Sequence, residues 1–133
     1  MRFNNDQEVF EHVKNHLLTQ NAVSRLLSPA GYVGIDPSTC AYRGIDGRKC
    51  AVGCLITDEA YSTALERKNM WDDAVLYALQ ASGVPELVMY SPLWIMLKSL
   101  QKLHDNNAPT DWPAMLETYK FHTDGTFILP TKE

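Results

Sequence analysis

The sequence predicts an α+β fold, namely a single, mainly helical domain over residues 1–133 with one small β-hairpin. Apolar residues recur at helical spacing in several segments, which is the main signal for amphipathic helices. The pair Asp46-Gly47 separates two short strand-like segments and is typical of a hairpin turn. A length of 133 residues suits one domain with its own hydrophobic core.

Periodicity and capping residues together predict the helices. Ser91 followed by Pro92 is typical of an N-cap with proline at the first helical position, and Gly83 is a suitable C-terminal cap. Thr57 is a suitable N-cap for a helix that follows it. The predicted helices are Asp6–Thr19, Asp58–Arg67, Met70–Ala81, Pro92–Asp105 and a short one from Thr110 or Asp111 to about Tyr119.

The remaining segments are predicted as strands and loops. We expect the hairpin to consist of strands Cys40–Gly44 and Lys49–Val52, packed on the helices because a lone hairpin is marginal in water. Phe127–Leu129 is predicted as an edge strand. Prolines and glycines throughout residues 28–39 predict a loop.

Composition narrows the function classes. The formal net charge is −4, which argues against a broad electrostatic surface for nucleic acid. No apolar run approaches the roughly 20 residues of a membrane span, and the polar N-terminus predicts no signal peptide. Three cysteines, an odd number, fit reduced thiols in the cytoplasm better than a disulfide framework. We therefore expect a cytoplasmic protein without a membrane partner.

The segment 40–61 carries most of the functional information, because it combines all three cysteines with charged and aromatic residues. Arg43 and Lys49 are suited to a phosphate or carboxylate, and Tyr42 to stacking on a ring. Such a surface would bind a small anionic ligand or an acidic patch on a partner protein. The candidate binding residues are Tyr42, Arg43, Asp46, Arg48, Lys49, Asp58, Glu59 and Tyr61.

The cysteines allow three other interpretations. Cys40, Cys50 and Cys54 could bind structural zinc, with a fourth ligand from His12, His16, His104 or His122. Cys54 or Cys50 could instead be a nucleophile that His104 or His122 activates. The plainest interpretation is structural: the thiols are buried as small apolar groups, and Arg43 pairs with Asp58 or Glu59. No catalytic set is assembled in the sequence, so we predict neither an enzyme class nor a cofactor, with zinc as the alternative.

The predicted helix that begins at Pro92 has a second feature of interest. Its stripe of Trp94, Met96 and Leu97 fits a core better than a cofactor site. Met89 and Tyr90 add apolar surface just before it, which is compatible with a homodimer seam. The sequence contains no phosphate-binding loop, dinucleotide fingerprint or nucleophile elbow.

The stretch CAYRGIDGRKCAVGCLITDEAY, residues 40–61, resembles a family of small uncharacterised proteins from tailed bacteriophages and bacterial prophages. The preceding helix Val9–Gln20 is similar to the same family, so the resemblance covers about the first half of the chain. It implies a phage product acting in the cytoplasm of a bacterial host, and it brings no catalytic assignment. We therefore expect an accessory protein for host takeover or anti-defence that modulates a host protein or sequesters a small anionic ligand.

Overall fold

The computed structural model describes residues 2–22, 24, 41–44, 47–66, 68 and 72–129, and this part of the chain is all-α. Three single-turn 3-10 helices, Gly53–Leu55, Thr63–Leu65 and Pro109–Asp111, lie between the α-helices. Within these residues, none of the helices combines the length and apolarity needed to cross a membrane. The α-helices are α1 (Asp6–Gln20), α2 (Asp73–Ala81), α3 (Pro92–Asn106) and α4 (Trp112–Leu116).

Helices α1 and α3 confirm the predicted helices to within one residue. The Asn5 side chain caps α1 by accepting a hydrogen bond from the Glu8 N–H at 2.9 Å. Asn21 ends α1 in the left-handed conformation, with φ 48°, which asparagine tolerates better than most residues. Ser91 caps α3 by accepting from the Trp94 N–H at 3.3 Å. These boundaries are set by local chemistry, which is why the sequence reveals them.

The predicted hairpin is wrong, and with it the α+β class. The described residues of Cys40–Gly44 and Lys49–Val52 form no strand. The Gly44 N–H donates to the Arg48 carbonyl at 2.8 Å, which closes a turn without starting a ladder. Side chains from elsewhere take the backbone groups that strands would pair, as the Tyr42 N–H bonded to Glu66 illustrates. Cys40 and Asp46, the start and the tip of the predicted hairpin, lie outside the described residues.

The predicted helix Asp58–Arg67 is also wrong. The Ala60 and Tyr61 N–H groups both donate to the Thr57 carbonyl, which makes one isolated turn. Ser62 then adopts an extended backbone, and its side chain caps the 3-10 helix Thr63–Leu65 by accepting from the Ala64 N–H. Serine competes with helical hydrogen bonding in this way, so the helix does not propagate.

The structure also differs from the sequence predictions at α2, at α4 and at the predicted edge strand. The helix α2 begins at Asp73 and is capped by Asp72. Its predicted start, Met70, lies outside the described residues, and so does the predicted loop 28–39. The helix α4 is only five residues long. In place of the edge strand Phe127–Leu129, the described chain has a single antiparallel bridge between Phe121 and Phe127.

The core lies between α1, α3 and the irregular segment 50–56, and α4 covers one end. Every residue from Cys50 to Ile56 is buried, although only three of them are helical. The stripe of α3 is core, as predicted, with Trp94 2% exposed. The largest fully buried side chains include Trp94, Trp112, Leu17, Leu55, Leu79, Met96, Leu97 and Leu100.

Candidate functional site

The structure divides the predicted binding residues between two places. Arg43, Asp58 and Tyr61 belong to one hydrogen-bonded cluster, whereas Lys49 lines a separate cleft beside α1. Arg48 is half-buried, Glu59 is exposed, and Asp46 lies outside the described residues. The predicted pairing of Arg43 with Lys49 on one binding surface is therefore not what the fold provides.

Arg43 is held by internal contacts. Its Nη1 is 2.7 Å from the Asp58 Oδ1, and its Nη2 donates to the Ile56 carbonyl at 3.1 Å. The guanidinium also lies over the Tyr61 ring, 4.4 Å from the centroid. The ion pair is the structural alternative that the sequence allowed for this residue, and these contacts fix the chain around residue 58.

Glu66 organises this cluster, and sequence reasoning missed it. Its carboxylate accepts the backbone N–H of Tyr42 at 3.0 Å, that of Arg43 at 3.1 Å, and the Tyr61 hydroxyl at 2.5 Å. Burial and the hydrogen bond to Glu66 raise the pKa of Tyr61 to about 12. A glutamate in a predicted helix gives no sign that it will bind backbone more than 20 residues away.

Tyr42 is not available to stack on a ligand. Its side chain is buried in the core, and its hydroxyl donates to the Lys68 carbonyl. Tyr42 also explains Gly53, because a Cβ at residue 53 would lie 2.2 Å from the Tyr42 carbonyl oxygen. This close approach, and not a special φ, requires glycine at position 53.

The cleft that contains Lys49 lies between α1 and the segment 47–54 and has a volume of about 600 Å³. Arg2 and Lys49 supply two positive charges, and none of the described Asp or Glu residues lines the cleft. Among the described residues, no carboxylate forms an ion pair with either cation. Its lining residues are Arg2, His12, Asn15, His16, Thr19, Gln20, Gly47, Lys49 and Cys54.

The two histidines of the cleft are one helical turn apart on α1. His16 donates from Nε2 to the Lys49 carbonyl at 2.9 Å. A carbonyl only accepts, so this bond assigns the proton of the neutral His16 ring to Nε2 and leaves its Nδ1 as an acceptor. The His12 Nε2 faces both an acceptor, the Cys54 carbonyl at 3.2 Å, and a donor, the Arg2 Nη2 at 3.4 Å. Burial is the main cause that lowers the pKa of both histidines, and Lys49 adds to it. Both rings are therefore mostly neutral at pH 7.

Long-range hydrogen bonds hold the walls of the cleft together. The Gln20 amide accepts from the Lys49 N–H at 2.8 Å and donates to the Lys49 carbonyl at 2.9 Å. The Arg2 guanidinium donates to the Leu55 carbonyl at 2.8 Å. These bonds fix the Lys49 backbone and leave its ammonium at the cleft. The i, i+4 spacing of His12 and His16 was visible in the sequence, but nothing there placed Arg2 and Lys49 beside it.

The two described cysteines are packed as structural thiols. Cys50 is fully buried, and its Sγ accepts from the Gly53 N–H at 3.3 Å. Cys54 donates to the Ala51 carbonyl at 3.1 Å, and burial raises the pKa of its thiol. A reactive cysteine needs the opposite shift. The described residues hold no group of three potential metal ligands, and Cys40 lies outside them, so the zinc site stays a prediction.

His104, one of the histidines predicted as a partner of the cysteines, is bonded elsewhere. It is fully buried, accepts from the Ser24 N–H at Nε2 (3.0 Å) and donates from Nδ1 to Asp105 at 2.8 Å. Gln101 extends this network by donating to Asp105 at 3.0 Å and accepting from the Val52 N–H at 3.0 Å. The network fastens the irregular segment to α3.

Comparisons with known proteins add no relative. No protein-family model, curated protein or solved structure matches the chain. The resemblance of residues 40–61 to phage proteins therefore stays a prediction. Function has to be argued from the geometry of the cleft and from the surface of the molecule.

Proposed function

We propose that this protein captures a small anionic ligand in the cleft between α1 and the segment 47–54. The observation that carries the proposal is the charge of the lining: Arg2 and Lys49 both line the cleft and no carboxylate in the described part of the chain does, although the whole chain has a net charge of −4. A local positive site on an acidic protein attracts anions while the rest of the surface repels them.

The cleft offers several kinds of donor to an anion. The Lys49 ammonium would pair with phosphate or carboxylate oxygens. The Arg2 guanidinium, whose Nη1 is bonded to the Leu55 carbonyl, adds a second positive charge to the lining. Asn15 and Thr19 add neutral hydrogen-bonding groups. Protonation of His16 would convert its Nδ1 from an acceptor to a donor, so a bound anion favours the charged ring. Binding is therefore coupled to proton uptake and strengthens as pH falls below 7.

The phage resemblance supplies a setting for this activity. Lys49 belongs to the segment 40–61 that resembles the phage proteins. Tyr42 and Arg43 of the same segment, which the sequence predicted as ligand contacts, instead contact other parts of the protein. We propose that the protein is a phage or prophage accessory product that sequesters an anionic metabolite in the host cytoplasm. Of the two functions expected from the sequence, sequestration of a small anionic ligand is the one proposed. Its site is the cleft and not the surface of the predicted hairpin.

Isothermal titration calorimetry with inorganic phosphate and with citrate tests the proposal. We expect one site per chain, with tighter binding at pH 6.0 than at pH 7.5. Lys49→Ala should weaken binding about tenfold, because a charge-assisted hydrogen bond contributes roughly 1.5 kcal/mol. Lys14→Ala is the matched control, since Lys14 is on α1 but does not line the cleft.

Circular dichroism of both variants shows whether they fold, and the Lys49 backbone bonds do not depend on its side chain. Equal affinities for Lys49→Ala and Lys14→Ala would place any anion elsewhere. Failure of both phosphate and citrate to bind the native chain would overturn the proposal.

A further inference from the structure

A second cavity, of about 1020 Å³, lies along α3 and borders the core at Trp94 and Leu103. The C-terminal segment forms its opposite wall, including residues 118–120 and 127–129, and Tyr90 stands at one end. We call this cavity the α3 groove. The described lining residues of the α3 groove are all different from those of the cleft between α1 and the segment 47–54. An inference about the groove therefore does not rest on anion capture in the cleft.

Three apolar residues that line the α3 groove are exposed to solvent. Tyr90 is 69% exposed, Leu129 44% and Ile128 38%. Tyr90 also adopts a left-handed backbone with φ 69°, which is uncommon for a bulky residue, and its ring lies 5.0 Å from that of Trp94. Exposed apolar surface gathered along one groove is typical of an interaction site.

The polar lining of the α3 groove is positive. Lys98 and Lys102 are four residues apart on α3 and therefore share a face, and Lys120 stands on the opposite wall. Among the residues that the structure describes, no Asp or Glu lines the groove. The apolar floor thus lies between lysines on both walls, in a chain whose net charge is −4.

We propose that the α3 groove binds an acidic amphipathic helix of a partner protein. Apolar side chains at positions i, i+3 or i+4, and i+7 of that helix would pack on the exposed apolar groups Tyr90, Ile128 and Leu129. Its Glu and Asp residues would meet the lysines of the two walls, which gives orientation and a fast encounter. The 15 residues of α3 provide a wall roughly 22 Å long, enough for about four turns of a docked helix.

The charges also argue against a second copy of this chain as the occupant. A symmetric dimer through the α3 groove would place the same patch of each copy face to face. Lys98, Lys102 and Lys120 of one protomer would then approach the same lysines of the other. Such repulsion opposes the homodimer seam that the sequence suggested at Met89, Tyr90 and Trp94.

A display library of helical peptides tests the proposal. The library fixes leucines at i, i+3, i+4 and i+7 and draws every other position equally from Glu, Lys and Gln. Selection on the native protein should enrich Glu over Lys, and the selected peptides should bind in fluorescence anisotropy. Absence of enrichment, or enrichment of neutral or lysine-rich peptides, would overturn the proposal.

Charge reversal of the groove sharpens the test. The double variant Lys102→Glu/Lys120→Glu should weaken binding of the selected acidic peptide at least tenfold, and so should the triple variant that adds Lys98→Glu. Both variants should instead bind the peptide in which lysines replace the glutamates. Lys14→Glu/Lys68→Glu changes the net charge equally outside the groove and should leave affinity within twofold. Equal losses in both sets of variants would show a nonspecific charge effect and refute the groove.

The oligomeric state shows whether a second copy of this chain occupies the α3 groove. Light scattering after size exclusion should give a monomer over micromolar concentrations. A dimer that Leu129→Glu converts to a monomer would assign the groove to a second copy and overturn the proposal.

Discussion

The helix pair α1 and α3 and the irregular segment 41–66 both contribute fully buried residues to the core, but their backbones are satisfied in different ways. The helices pair their own N–H and carbonyl groups, so their side chains only have to pack. The described residues of the segment 41–66 close only short turns of their own and take further partners from distant side chains: Glu66 binds residues 42 and 43, Gln20 binds Lys49, and Gln101 binds Val52. We therefore expect the segment to depend on single polar or glycine residues, whereas each helix distributes its stability over many contacts.

Gly53→Ala should have the largest effect, because the new Cβ would lie 2.2 Å from the Tyr42 carbonyl oxygen. Backbone on both sides has to move, so we expect a loss of about 3 kcal/mol or more in the free energy of unfolding. Urea denaturation measures it. Gly47→Ala is the control, since Gly47 has φ 73° but no neighbour within 4 Å, and it should cost only about 1 kcal/mol of backbone strain. A smaller loss at 53 than at 47 would contradict the close-approach argument.

Glu66→Ala should follow, at about 2–3 kcal/mol, because it leaves two backbone N–H groups and the Tyr61 hydroxyl without their acceptor. Glu59→Ala is the matched control and should change stability by less than about 0.5 kcal/mol, since Glu59 is exposed. The Tyr61 pKa, followed by ultraviolet absorbance, should fall in Glu66→Ala. An unchanged Tyr61 titration would show that Glu66 is not the organising group.

Ser91→Ala tests the helical side of the comparison. It removes the acceptor of the Trp94 N–H and should cost about 1 kcal/mol, whereas Ser91→Gly should cost only a few tenths. Thermal denaturation of the two variants gives the difference. A loss as large as that of Glu66→Ala would mean that α3 depends on its cap as strongly as the irregular segment depends on Glu66.

Acidification should give the smallest effect. The pKa values of His12 and His16 are lowered below 6.5 in the folded chain, so the unfolded chain binds more protons as pH falls past 6.5. Stability should therefore decrease from pH 7.5 down through the lowered pKa values and then level off. Urea midpoints of the native chain and of His12→Gln/His16→Gln measure this, and the double variant should show a flatter profile between pH 7.5 and 5.0. Identical profiles would remove the histidines as the cause.

The site residues divide in the same way as the fold. Lys49 was predicted from its charge, and it is the one predicted cation that lines the cleft, whereas Arg43, predicted on the same grounds, is bound to Asp58 and Ile56. Glu66, Gln20 and Arg2 were missed, because their partners Tyr42, Lys49 and Leu55 are 24, 29 and 53 residues away along the chain. Residue type reports what a side chain can bind, but not which of several partners it reaches first.

The sequence by itself determined α1 and α3, since periodicity and caps act within a few residues of each other. It also determined that α3 contributes a buried stripe. Only the tertiary structure decided the fate of the segment 41–66: side chains from α1, α3 and residue 66 compete for its backbone groups and replace the strand pairing that Asp46-Gly47 indicated. The same long-range bonds bring Lys49 beside Arg2 and the α1 histidines, because a hydrogen bond between distant residues forms only when the whole chain has placed its donor and acceptor together.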